Sequence, residues 1–383
     1  MRYATSWVKR RRGNKKVRCE VSSFGAEPKY RVNQSRLQAS CQILVPKECR
    51  KGVRLMRHVV KRVSSKSLAA VSVLLVLSIS ATTALAANVE LSKGPVIHIS
   101  DVSRFYKVYD AAHGHPSAKE LQRDYLDPGS PGLHHLAKIR QVNGRNIAAE
   151  IAAHPQLYAH ARRCMAILPQ VRRKVTTALR RLGRLFPMAA FPPVTIAISH
   201  GKPVGVADST GVMIGLEGLC ALRYLNPDIF WRFVHTISHE YIHVQQAVQS
   251  PALYGNPKPT VLDASLIEGA AEFMATLIAH ERDFHSPYAP ADRAHDKSVE
   301  IRFVADENQT DLSHWIDNGT LTKPGNLGYW VGYRIVKSYY EHAESKSQAV
   351  RSILQMKSPK EFLAKSGWYP GIPLRKMAFS RVN

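Results

Sequence analysis

The sequence predicts a predominantly helical α+β fold in which a small β-sheet stands next to one long buried helix. Three observations predict it. From Asn226 to Gln249 the apolar residues Ile229, Phe230, Phe233, Val234, Ile237, Tyr241, Ile242, Val244 and Val248 leave a helix apolar almost all round, the pattern of a helix inside a core. A second helical stretch opens at Ser265-Leu266-Ile267-Glu268 and runs to about His280. Ahead of both, Val194 to Ser199 and Gly211 to Leu216 are short apolar runs separated by a Gly- and Pro-containing loop from Lys202 to Thr210, as strands are.

Taken in order, the chain begins with an anomaly of charge. The first 66 residues hold 19 of the 54 Lys and Arg but 3 of the 29 Asp and Glu, so they account for +16 of the net +25 and the remainder carries +9. The extreme charge is therefore an N-terminal feature and says little about the globular part. Residues 1–55 show no sustained apolar period and read as a basic extension, the expectation being an over-extended gene start with translation beginning at Met56. Residues 56–86 read as a signal peptide: Arg57, Lys61, Arg62 and Lys66 precede an apolar run from Leu68 to Ala81, and Ala84-Leu85-Ala86 supplies a small-residue cleavage site. The run is short for a membrane span. The expectation is a periplasmic or extracellular protein with no stable span after cleavage. An uncleaved signal anchor and an arginine-rich nucleic-acid arm are the rival readings. No Cys follows the run where a lipoprotein signal needs one, so a lipid anchor is not expected.

Residues 87–190 read as an N-terminal helical region, clearest from Ile147 to Phe186 and broken at Pro155 and Pro169. Arg162, Arg163, Arg172, Arg173, Lys174, Arg180, Arg181 and Arg184 recur along it. Without interleaved aromatics this is a solvated face rather than a nucleic-acid surface, with attraction to an anionic envelope surface as the secondary reading; no nucleic-acid partner is expected. Cys19, Cys41 and Cys49 fall in the basic extension, leaving Cys164 and Cys220. These either form one disulfide, as export would permit, or remain two buried thiols.

Residues 191–383 carry the chemistry. His239-Glu240-Tyr241-Ile242-His243 puts two imidazoles four apart on one helical face, about 40° apart around the axis, where both reach one cation. Glu240 projects beside that face, positioned for a water on the ion rather than for the ion itself. Buried imidazoles and a carboxylate need partners, and a metal supplies one. Catalytic zinc takes three protein ligands and keeps a position for water, which makes Glu268 the candidate third ligand. Glu268 also fits a capping box with Ser265 as N-cap, with Asp263 competing for the cap. Against that, Glu268 and Glu272 lie four apart, a repulsive pair on an ordinary helix. A cation removes the objection, with Glu272 supporting a ligating histidine from behind.

At these residues the chain resembles a known family. His239-Glu240-x-x-His243 with Glu268-Gly-Ala-Ala-Glu272-Phe273 is similar to the gluzincin pattern, in particular to predicted zinc-dependent proteases of unknown substrate (the DUF2268 type), a family itself similar to a gliding-motility lipoprotein family. Phe105 to Asp110, Gly205 to Glu217 and Leu327 to Tyr333 extend the resemblance over roughly residues 100–370. It implies a zincin-like metallopeptidase fold, with an extended peptide lying along a strand edge ahead of the metal helix. The interval from His243 to Glu268 is longer than in thermolysin-like enzymes, so a thermolysin-like cleft does not follow from it.

From His280 to Pro324 the chain turns polar and reads as a long loop, a lid or cleft wall. From Leu327 to about His342 a last helix carries Tyr329, Tyr333, Val336 and Tyr340 as a stripe. Such a stripe is ordinarily core packing; if one tyrosine stabilises an oxyanion, as the gluzincin resemblance implies, Tyr333 is the choice. The expected function is a zinc (Zn2+) peptidase acting on a peptide or protein substrate, with His239, His243 and Glu268 as ligands, Glu240 as general base and Glu272 in support. The alternatives are a non-catalytic envelope protein that keeps the fold, and a nucleic-acid-binding protein working through the basic N-terminus.

Overall fold

Proline and side-chain caps divide the N-terminal half into short helices. A computed structural model describes residues 96–383 apart from 202–203, 283, 291–294, 320–324 and 378–383; the expected extension and signal peptide lie outside the described residues. Strand β1 (Ile97–His98) leads into α1 (Ser100–Ala111). Helix α2 (Pro131–Arg140) starts where Ser130 accepts the Leu133 N–H and Pro131 sets the first turn. Helix α3 (Gly144–Ala153) is capped by Asn143. Helices α4 (Pro155–Cys164) and α5 (Leu168–Leu185) follow, with breaks at the two prolines as the sequence predicts.

Phe105, Tyr125 and Tyr158 fill the centre of this half, all fully buried. The two tyrosine hydroxyls have partners, as buried phenols require. Tyr125 donates to the Ile198 carbonyl at 2.6 Å and accepts the Ile198 N–H at 2.9 Å, and Tyr158 donates to the Ser199 carbonyl at 3.1 Å. The helical half is thereby pinned to the end of a central strand.

That strand is β2 (Val194–Ala197), followed by β3 (Gly205–Asp208) and β4 (Gly211–Gly215). The sheet order is β1-β2-β4-β3, with β1/β2 and β2/β4 parallel and β3/β4 antiparallel. One expectation changes here. The stretch read as a loop from Lys202 to Thr210 contains a strand, β3, which forms a hairpin with β4 because Asp208 Oδ1 accepts both the backbone N–H and the hydroxyl of Thr210 and turns the chain tightly.

Helix α6 (Leu216–Ala221) carries Cys220, which is disulfide-bonded to Cys164 at the end of α4. Helix α7 (Ile229–Gln249) starts three residues inside the stretch read from Asn226: Asp228 caps it by accepting the Phe230 and Trp231 N–H groups, while Asn226 accepts the Asp228 N–H. Arg232, buried, fastens this end to the carbonyls of Asn226, Leu219 and Cys220. Helix α8 (Val261–Ala279) opens on a Thr260/Asp263 capping box and closes at His280 in left-handed conformation (φ 52°). The capping-box reading of Ser265 and Glu268 is thus overturned, because Thr260 takes that role one turn earlier and Glu268 lies two turns inside the helix.

The polar stretch expected to be one long loop contains helix α9 (Asp296–Asp306). Its polar composition conceals a packed face: Phe303 is fully buried, and so is Glu300, because Arg334 pairs with it and the Gly371 N–H donates to it. Helix α10 (Leu327–His342) follows as predicted, then α11 (Lys346–Leu354) and α12 (Pro359–Lys365). Helices α8 and α10 meet backbone to backbone. A Cβ on Gly332 would fall 1.8 Å from the Ser265 carbonyl oxygen, and one on Gly328 would fall 2.6 Å from Ser265 Oγ. Small residues at four-residue spacing on both helices allow this approach, and it sets α10 against the face that carries Glu268 and Glu272. The result is a predominantly helical α+β unit with a small four-stranded sheet beside α7. Among the described residues no helix is long and apolar enough to cross a membrane.

Candidate metal centre

The long helix places the two expected histidines together and adds a third. His239 and His243 are each 7% exposed, and their Nε2 atoms face each other at 3.0 Å. Glu268 Oε2 completes a triangle, 3.3 Å from His239 Nε2 and 3.2 Å from His243 Nε2. Two nitrogens bound tetrahedrally to one zinc at about 2.0–2.1 Å stand roughly 3.3–3.4 Å apart, so the donor triangle fits that ion closely.

The tautomers follow from the next residues outward. Gln246 Nε2 donates to the Ile267 carbonyl at 2.8 Å, which leaves its Oε1 to accept from His243 Nδ1 at 2.7 Å. The proton of His243 is therefore on Nδ1, and its Nε2 lone pair is free for a metal. His239 Nδ1 lies 2.9 Å from Glu272 Oε1, whose negative charge favours a proton on that nitrogen. The contact is close but off the hydrogen-bond line: His239 Nδ1 and Glu272 Oε2 are both buried without an aligned partner. Glu272 thus stands on the far side of the His239 ring from Glu268.

One turn before His239 the same face carries His235, a residue the sequence reading missed. Its Nδ1 is 2.7 Å from Glu281 Oε2 and its Nε2 is 3.4 Å from Glu272 Oε2, while its ring stacks on Phe284 at 4.6 Å. The row Glu268, His239, Glu272, His235, Glu281 alternates acid and imidazole along the seam between α7 and α8. Two metal-competent groups arise from it: His239, His243 and Glu268, and His235, His239 and Glu272. The i, i+4, i+8 spacing of the three histidines was the signal that would have found His235.

This alternation sets the protonation of the metal-free site. Burial alone would depress His239, but Glu268 and Glu272 lift it to about 10. His235 is lifted to about 9 against its burial, by Glu272 and then Glu281. Burial pushes Glu272 up, yet His235 and His239 hold it down at about 2; Glu268 is held well below the usual carboxylate range by His243 and His239. Glu240 goes the other way: burial raises it, and the neighbouring histidines only partly offset the rise.

Glu240 is half-buried and faces the sheet rather than α8. A Cβ on Gly205 of β3 would lie 2.4 Å from Glu240 Oε1, so glycine there is what lets the edge strand reach the carboxylate. From the other side come tyrosines. Tyr329 stacks flat on His239, with centroids 6.0 Å apart and planes 7° from parallel, and Tyr288 packs on Tyr329 at 4.7 Å. Both phenols are pushed well above their usual range by burial and by nearby carboxylates, Glu268 among them, so both stay protonated. Tyr333, the sequence choice, sits one turn further on, against Phe273 and Phe284 at 6.0 and 5.4 Å, with Lys337 over its ring. Of the α10 tyrosines it is Tyr329, not Tyr333, that the fold lays on His239, while Tyr254 packs on His243 with centroids 5.6 Å apart.

Comparison with known proteins adds one similarity. A family model described as gliding motility protein GldB matches residues 294–370. The matched segment runs from α9 to α12 and contains Tyr329, Gly328 and Gly332, but leaves His239, His243 and Glu268 outside it. Nothing among curated proteins or solved structures matches this chain.

Proposed function

We propose that this protein is a zinc-dependent peptidase with a zincin-like fold, working in the cell envelope or outside the cell. The observation that carries the reading is the convergence of His239 Nε2, His243 Nε2 and Glu268 Oε2 within 3.0–3.3 Å of one another, beside a carboxylate that is not part of the triangle. Two neutral imidazoles and one carboxylate form a hydrolytic zinc ligand set. When bound, zinc would supply Lewis-acid activation of a water and of a scissile carbonyl.

The chain's own residues do the rest. Glu240, its proton affinity raised by burial, takes the proton of the attacking water and hands it to the leaving amine. Glu272 and Gln246 hold the two imidazoles in the tautomer that keeps Nε2 open. Tyr329 and Tyr288, protonated at any working pH, donate hydrogen bonds to charge developing on the substrate oxygen. Strand β3 closes the sheet order at the end nearest Glu240 and offers backbone pairing to an extended peptide, which gives affinity with little side-chain preference.

The test is metal analysis of the 87–383 chain together with cleavage of a peptide library. One zinc per chain and cleavage abolished by chelation and restored by zinc is the expected result; a zinc-free protein as purified under zinc-replete conditions contradicts it. A second reading, a non-catalytic envelope protein, is favoured by one observation: the similarity to gliding motility protein GldB falls wholly outside the three donors. It would give zinc without cleavage.

A further inference from the structure

Residues 151–207 contain nine Lys and Arg and no Asp or Glu, whereas the rest of residues 67–383 holds 26 of each sign. The entire positive excess beyond the first 66 residues is therefore local to this segment. Eight of the nine cations lie on α4 and α5. Within the fold, Arg162 pairs with Asp110, Lys174 lies 4.9 Å above the Trp231 ring, and Arg181 donates to the Ile278 carbonyl. The other five, Arg163, Arg172, Arg173, Arg180 and Arg184, are exposed.

Their arrangement makes a face. Arg173, Arg180 and Arg184 recur at intervals of seven and four, which aligns them in one row, with Arg172 at its edge. The row is opposite Val171, Val175, Ala178 and Leu182, which are buried. No carboxylate pairs with the guanidinium groups of Arg172, Arg173 or Arg184 among the described residues. Just beyond the helix, Met188 is 58% exposed. Exposed cations on a helix surface with an apolar residue at one end suit a plane of anionic headgroups over a hydrocarbon layer. Nucleic acid fits less well, since Tyr158 is the single aromatic residue from 155 to 185 and it is buried, leaving nothing for bases to stack on.

We propose that the α4–α5 face docks this protein on an anionic phospholipid surface. The test is co-sedimentation of the 87–383 chain, the unit with its own core, with vesicles of equal parts phosphatidylglycerol and phosphatidylcholine, against phosphatidylcholine alone. Binding to the anionic vesicles at low salt, lost at about 0.5 M salt, is expected. Changing Arg172, Arg173, Arg180 and Arg184 together to Gln lowers the partition coefficient at least 100-fold, at about fivefold per charge, while the same four changed to Lys keep it within about threefold. The proposal is overturned if the Gln variant binds like wild type, if phosphatidylcholine alone is bound equally, if the Lys variant loses binding, or if duplex DNA displaces the anionic vesicles at equal charge concentration.

Discussion

Gly269 and Gly332 touch through their backbones: a Cβ placed on Gly269 would fall 2.0 Å from the Gly332 carbonyl carbon. The contact joins the residue after Glu268 to the helix that lays Tyr329 on His239, so one close approach aligns ligand helix and tyrosine helix together. Gly269→Ala forces the two backbones apart. Overpacking of this kind costs about 2–3 kcal/mol, and chemical denaturation should show a loss of that size together with weakened zinc binding. An unchanged midpoint would mean that the helices separate freely.

Ligands and supporting residues should separate by magnitude. His239→Ala, His243→Ala and Glu268→Ala each lower zinc affinity by orders of magnitude, because ligand pairing is also folding energy. Glu272→Ala, which removes the carboxylate that His239 shares with His235, lowers it about 10- to 100-fold. Competition with a chromogenic chelator measures both. Stoichiometric zinc in Glu268→Ala would remove that carboxylate from the ligand set.

Acid and base act oppositely on the metal-free and zinc-loaded forms. In the metal-free protein His239, raised to about 10 by Glu268 and Glu272, contributes stability that is complete below the ordinary imidazole value of 6.5 and is lost as pH rises through about 10. Glu272, depressed to about 2, contributes stability that is complete above its ordinary value of 4.5 and is lost as pH falls through about 2. Calorimetry should therefore find the metal-free Tm falling from pH 6.5 to 10, while the stabilisation conferred by zinc grows over the same range because protons no longer compete for the imidazoles. A metal-free Tm that is flat across that range would contradict the pairing described.

Gly205 tests the link between the edge strand and the base. With alanine, the added methyl would meet Glu240 Oε1 at 2.4 Å and push the carboxylate off its position. Turnover should fall about 10- to 100-fold, as a displacement near 1 Å typically costs, with zinc content unchanged. A fall in zinc content of the same size would place Gly205 in support of the metal instead.

Much of this was legible because period and chemistry coincided. The all-round apolar pattern of Ile229–Gln249 and the four-residue spacing of His239 and His243 needed only one helix to be meaningful, and Glu268 and Glu272 needed only its neighbour. What escaped depended on partners distant in sequence. Glu300 is a buried acid because Arg334 reaches it, so α9 looked like a polar loop. His235 acquires its place from Glu281, 46 residues away. The choice between Tyr329 and Tyr333 turns on the rotation of α10, which Gly328 and Gly332 set against Ser265 and Gly269; a helical stripe alone leaves that rotation open.

Glu240→Gln is the most direct test of the proposed chemistry. Glutamine keeps the volume beside Gly205 and removes the base, and the carboxylate lost is outside the donor triangle. Zinc content and thermal stability should stay near wild type, while cleavage of a peptide that the wild type hydrolyses should slow by about 10² to 10⁴. Wild type and Glu240→Gln, both zinc-loaded, cleaving that peptide at the same rate would contradict the assignment of Glu240 as the base and with it the peptidase reading of the site.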